Sequence, residues 1–137
     1  MRTILTTLML SAVVAMASGA RAEDKPARVF EMRTYYAAPG KMDDLHARFR
    51  DHTCALFKKH GMELIGFWEP VDAKSGKGEK MVYILAYPSR EAATASWKAF
   101  GADPVWQKAR TESEKNGKLV AKVESVFLNG LDYSAIK

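Results

Sequence analysis

The run Val29-Phe30-Glu31-Met32-Arg33-Thr34-Tyr35-Tyr36 alternates along its length and constrains the fold more than any other stretch of the chain. Successive side chains of a strand point to opposite faces. Phe30, Met32, Thr34 and Tyr36 therefore share one face, and Val29, Glu31, Arg33 and Tyr35 share the other. The first set reads as a core face. The second joins aliphatic and aromatic bulk to an acid and a base, a mixture ill suited to a plain solvated surface, so this face too is expected to be covered.

Downstream, Ala38-Pro39-Gly40 makes a turn, and a helix is expected from about Lys41 to His60. At about 100° per residue, Met42, Leu45, Phe49, Thr53, Leu56 and His60 fall on one stripe. Asp44, Ala47, Arg48, Asp51 and Lys58 fall opposite. Gly61 stands where a left-handed C-terminal cap belongs. Met62 to Trp68 reads as a strand, ended by Glu69-Pro70, and Ser75-Gly76-Lys77-Gly78 as a hairpin connection. Met81 to Tyr87 is almost wholly apolar and suits a central strand buried on both sides. Ser89 caps a second helical segment. That segment breaks at Gly101-Ala102 and restarts at Asp103-Pro104, with Asp103 as cap and Pro104 at the first helical position. Asn116-Gly117 closes it, Leu119 to Leu128 forms a last strand, and a short tail follows.

The order strand, helix, strand, strand, helix, strand is the split β-α-β unit of ferredoxin-like α+β folds. Its sheet is antiparallel, with the first and third strands in the middle and both helices on one face. The helices leave the other face bare. With Val29 and Tyr35 on it, that face would be an apolar patch of a size rare on a monomer. Burial at about 25 cal/mol per Å2 favours covering it, and the simplest cover is a second copy in a two-fold homodimer.

The first 22 residues read as a secretory leader. Arg2 gives a positive start, Ile4 to Met16 is mostly apolar, and Ala20-Arg21-Ala22 has the small-x-small form of a cleavage site. The apolar run is too short for a comfortable bilayer span. Cleavage after Ala22 implies a periplasmic or secreted product with no membrane segment in its mature form. Arg2 and Arg21 leave with the leader, so the formal net charge falls from +5 to +3. That charge is weak, and the lysines form no stripe interleaved with aromatics, which argues against nucleic acid. The single cysteine, Cys54, excludes an intrachain disulfide.

Short motifs in order along the chain resemble one family. Phe30-Glu31-Met32-Arg33-Thr34-Tyr35 followed by Pro39-Gly40-Lys41 resembles the opening of NIPSNAP domains. His60-Gly61 with Gly66-Phe67-Trp68 resembles the next segment, and Asp103-Pro104-Val105-Trp106 resembles an Asp-Pro-x-Trp signature. The likeness runs from Arg28 to Phe127 and implies one domain over about residues 28–130. It also implies a dimeric α+β barrel, in which two ferredoxin-like sheets pack face to face. The family has no shared established reaction. Roles of eukaryotic relatives at mitochondria and in vesicular transport do not transfer to an exported single-domain chain.

His52, between Phe49 and Leu56, is a candidate pocket histidine, either a general base or a haem ligand between helix and sheet; a core-edge histidine bonded to a backbone carbonyl is the commoner case. His60, ending the helix, complements its dipole, and His46 reads as surface. His52 and His60 lie about 12 Å apart along a helix axis, so no metal site is expected. Glu31 and Arg33 share a face. They read either as an oriented anion-binding pair inside the dimer barrel or as a network with Lys122 and Glu124. Tyr35, Tyr83 and Trp68 could line a pocket or fill the core, and Trp106 should wedge the second helical segment onto the sheet. Cys54 is expected to point outward.

The candidate pocket is thus His52, Tyr83, Trp106, Glu31 and Arg33, with no cofactor assigned. One reading is a binding or interaction protein that takes a small hydrophobic or aromatic ligand. The other is an enzyme of cofactor-free monooxygenase or haem type, by analogy of fold.

Overall fold

Four antiparallel strands form one sheet in the order β2-β3-β1-β4, and the computed structural model describes residues 27–137. The expected leader lies outside them. The strands are β1 (Val29–Ala37), β2 (Glu63–Trp68), β3 (Lys80–Tyr87) and β4 (Val120–Asn129). β1 and β3 hold the middle, as the ferredoxin-like order requires. β2 and β3 are joined through a short 3-10 turn, Ala73–Ser75, with Gly76 and Gly78 at positive φ.

The first helical stretch is not one regular helix. α1 (Met42–Arg48) passes through a π-helical turn, Phe49–Thr53, into α2 (Cys54–Lys59). The backbone N–H of Cys54 donates to the Phe49 carbonyl five residues back, and Thr53 Oγ1 donates to the Arg48 carbonyl at 3.2 Å. A π turn advances each residue by less than the α-helical 100°. The stripe expected from a uniform helix therefore shifts. Phe49 and Thr53 stay buried and His52 turns out and is exposed; Arg48, at the end of α1 before the turn, is buried rather than outward as expected. Cys54 is half-buried against the core instead of pointing outward. Its thiol is pushed up by burial, with Lys58 opposing.

α3 (Arg90–Ala102) and α4 (Pro104–Ser113) start as the sequence suggests. Ser89 Oγ accepts from Ala92 N at 3.0 Å. Asp103 Oδ1 accepts from Val105 N at 2.8 Å, with Pro104 at the first position. The core between helices and sheet is a cluster of rings. Phe57 lies 5.0 Å from Phe100 and 5.3 Å from Trp97, and Phe49 lies 5.3 Å from Tyr83, centroid to centroid.

The two faces of β1 are the reverse of the expectation. Tyr35 packs on Phe49 and Tyr83 under the helices, and Glu31 bonds to Trp97 on α3. Phe30, Met32, Thr34 and Tyr36 point to the open side. Cross-strand partners share that side: Ala86, Ile84 and Val82 on β3, and Leu128, Val126 and Glu124 on β4. Trp68, opposite Val82, joins them and is 52% exposed. Trp68 lies over Gly66, where an added Cβ would meet its ring at 2.4 Å. At one end, the tail residues Leu131, Tyr133 and Ile136 fold toward Phe30 and Leu128, around an apolar hollow of about 420 Å3.

Phe57 is 1% exposed and touches four other rings. Phe57→Ala should therefore cost about 3–5 kcal/mol in urea unfolding. A loss under about 1 kcal/mol would mean that the ring cluster is not the core.

Candidate functional site

Glu31 is 1% exposed and surrounded by donors. Its Oε1 accepts from Arg33 NH1 and Ser125 Oγ, both at 2.6 Å. Its Oε2 accepts from Tyr87 OH and Trp97 Nε1, both at 2.7 Å. Burial pushes the Glu31 carboxyl up, but the hydrogen bonds from Ser125, Tyr87, Trp97 and Arg33 together hold it below its ordinary value. Burial also works against the Arg33 charge, and Tyr83, Tyr35 and Glu31 outweigh it. Arg33 lies 4.2 Å over the Trp97 ring. Burial and the Glu31 bond push the Tyr87 hydroxyl far up, which keeps it a donor. A carboxylate offers about four lone-pair sites. Here four donors occupy them, so Glu31 fastens β1, β3, β4 and α3 together and has no site left to take a substrate proton. The expected network with Lys122 and Glu124 does not form. Those two pair with each other on the open side, beside Tyr36.

A cavity of about 280 Å3 opens between the π turn, α4 and the β1–β4 side of the sheet. Tyr35, Phe57, Trp106, Arg48, Arg110 and Lys118 are among its walls. Of the sequence candidates, Trp106 lines it. Tyr83 packs just behind, against Tyr35 and Phe49, with its hydroxyl buried and without a partner. Glu31 and Arg33 belong to the neighbouring network. His52 is elsewhere, on an open groove outside the helices with Asp44, Asp51 and Glu112. Trp68 is on the open sheet face. Among the described residues, no group of three or more His, Cys, Asp or Glu is placed to hold a metal ion.

Arg48 is the residue that sequence reasoning missed. Its side chain is 4% exposed. NH1 donates to Glu114 Oε1 at 3.1 Å and Ser113 Oγ at 3.4 Å, while Nε finds no acceptor. The guanidinium lies 5.2 Å from the Trp106 ring centroid. The helical wheel places Arg48 opposite the apolar stripe, but it ends α1 three residues after buried Leu45, and α4 packs over it through Trp106, Ser113 and Glu114. Arg110 was legible as an i, i+4 neighbour of Trp106 on α4.

The NIPSNAP family model matches residues 30–135. The chain belongs to the NIPSNAP family. Among solved structures, it is similar to a NIPSNAP family protein of unknown function from Agrobacterium tumefaciens, at 20% identity and a TM-score of 0.69, covering 82% of this chain and 96% of that one. An uncharacterized NIPSNAP domain protein from Burkholderia xenovorans aligns at 24% identity and a TM-score of 0.64, covering 77% and 97%. A Nitrosomonas europaea protein provisionally assigned as an antibiotic biosynthesis monooxygenase shares the fold at 12% identity and a TM-score of 0.56, covering 80% and 96%. No curated protein matches the chain.

In this NIPSNAP domain, Asp103 does more than cap α4. Lys59 Nζ donates to its Oδ2 at 2.6 Å, and His60 Nε2 lies 2.7 Å from the same oxygen. The carboxylate therefore ties the end of α2 to the start of α4. Lys59, His60 and the Val105 N–H hold the Asp103 carboxyl well below the usual carboxylate range. A depressed folded-state pKa contributes stability above the unfolded value, 3.8, and that stability is lost as pH falls below it. Asp103→Asn, which can still cap Val105, should lower Tm at neutral pH and flatten the fall of Tm in acid. An unchanged neutral Tm, or parallel acid limbs, would rule out the tie.

Proposed function

We propose that this NIPSNAP protein works as an exported homodimer that binds a small apolar or aromatic molecule in the cavity beside Trp106. The cavity carries the reading. It is flanked by aromatic rings, is edged by the charged side chains of Arg48, Arg110, Glu114 and Lys118, and lies where α/β-packed domains commonly accept ligands, between helices and sheet. Export is supported by the leader-like run ending at Ala22.

The open sheet face supports the dimer. Val126 on β4 is 49% exposed and Leu128 37%, Trp68 stands on the opposite edge strand β2, and Met32, Val82 and Ile84 lie between them. A stable interface buries about 800 Å2 per partner, and a four-stranded face can supply area of that order. The patch is apolar around Met32, Ile84 and Val126, with the Lys122–Glu124 pair toward one end, and a second copy of the same sheet would cover it.

Catalysis like that assigned to the Nitrosomonas protein has less support. Glu31 has its lone-pair positions filled, and His52 faces the outer groove, away from the aromatic cavity.

Sedimentation equilibrium at micromolar concentration should give a dimer for the processed protein. Val126→Lys should give a monomer with an unchanged far-UV spectrum. A wild-type monomer under those conditions would remove the dimer.

A further inference from the structure

We infer that the cavity beside Trp106 takes a one- or two-ring aromatic carboxylate, with its acid group on Arg48 and its ring between the aromatic walls. The inference rests on the reading that this cavity binds a small molecule. It adds the charge and shape of that molecule.

Arg48 supplies the first reason. It is a buried cation with a single carboxylate neighbour, Glu114, and its Nε has no acceptor. Guanidinium presents five N–H donors in a fork that matches a carboxylate in two-point fashion. A buried charged donor left without an acceptor is unfavourable, and a ligand carboxylate supplies one.

The balance of charge supplies the second. Arg48, Arg110 and Lys118 line the cavity against Glu114 alone. Glu114 is shared, since Arg110 Nε lies 3.5 Å from its Oε2 while Arg48 holds Oε1. The walls are therefore net positive and favour an anion. Arg48 also borders the outer groove, but Asp44, Asp51 and Glu112 stand there and repel one.

The third is shape. Trp106 and Phe100 lie 4.5 Å apart, and Tyr35, Phe49 and Phe57 complete an aromatic enclosure. An inorganic anion gains nothing from those rings, whereas a flat acid does. The volume, about 280 Å3, exceeds the ~150 Å3 cavity that accepts benzene and falls just short of the ~300 Å3 lower end for drug-sized ligands.

Calorimetric titration of the purified protein with 2-naphthoate and with the neutral 2-naphthamide tests this directly. Naphthoate should bind at least tenfold more tightly, and added salt should weaken naphthoate but not naphthamide. Arg48→Gln should abolish the difference. If that variant does not fold, the pair Arg110→Gln and Lys118→Gln at the cavity mouth should reduce it. Equal binding of acid and amide overturns the carboxylate inference and leaves the binding cavity standing. A preference for the acid that survives both sets of substitutions also overturns it, because the acid then sits elsewhere. Binding of neither probe at millimolar concentration overturns both the inference and the binding reading beneath it.

Discussion

A buried carboxylate with every lone pair taken determines which way the sheet faces. Glu31 cannot be placed in the low-dielectric interior without donors, and it draws them from two neighbouring strands and one helix: Tyr87, Ser125 and Trp97, besides Arg33 on its own strand. Trp97 is the decisive partner, because it brings α3 down on the side of β1 that carries the charges. Once Glu31 and Arg33 face the helices, Phe30, Met32 and Thr34 must face away. The apolar open side, where a second copy is proposed to pack, is thus a consequence of a polar contact on the opposite side.

The second determinant is a single turn of backbone. The π-helical segment Phe49–Thr53 rotates the residues within and after it, carrying His52 out to the solvent groove and Cys54 in toward the core. Thr53 is spent on the Arg48 carbonyl, which helps to hold the wide turn. The cationic wall of the cavity comes instead from the end of α1, from α4 and from the approach to β4, through Arg48, Arg110 and Lys118. Asp103 then holds α2 and α4 together at the opposite end, through Lys59, His60 and its own cap bond.

Much of this architecture was legible in the sequence. The order of elements, the caps at Ser89 and Asp103, the left-handed Gly61 and the doubly apolar β3 all follow from local chemistry, and they identify a ferredoxin-like sheet. The alternation in β1 correctly separated its residues into two sets. It could not say which set meets the helices, since both contain bulky groups and the choice depends on Trp97 and Tyr87, far away in the chain. The misplaced residues His52 and Cys54 share one cause, 100° per residue applied across a turn that does not keep it, whereas Arg48 is buried because α4 packs over the end of α1. Trp106 lines the cavity, and its basic neighbours became visible only when α1 and α4 were brought together.

The charge state of Glu31 is the most direct measure of the interaction on which the fold's two faces depend. A carbon-13 NMR titration of its side-chain carboxyl should give a midpoint below the ordinary glutamate value of 4.5, with the Trp97 indole proton shifted as the carboxylate loses its charge. A midpoint at or above 4.5, with no response at Trp97, would contradict the buried four-donor arrangement and the orientation of the sheet built on it.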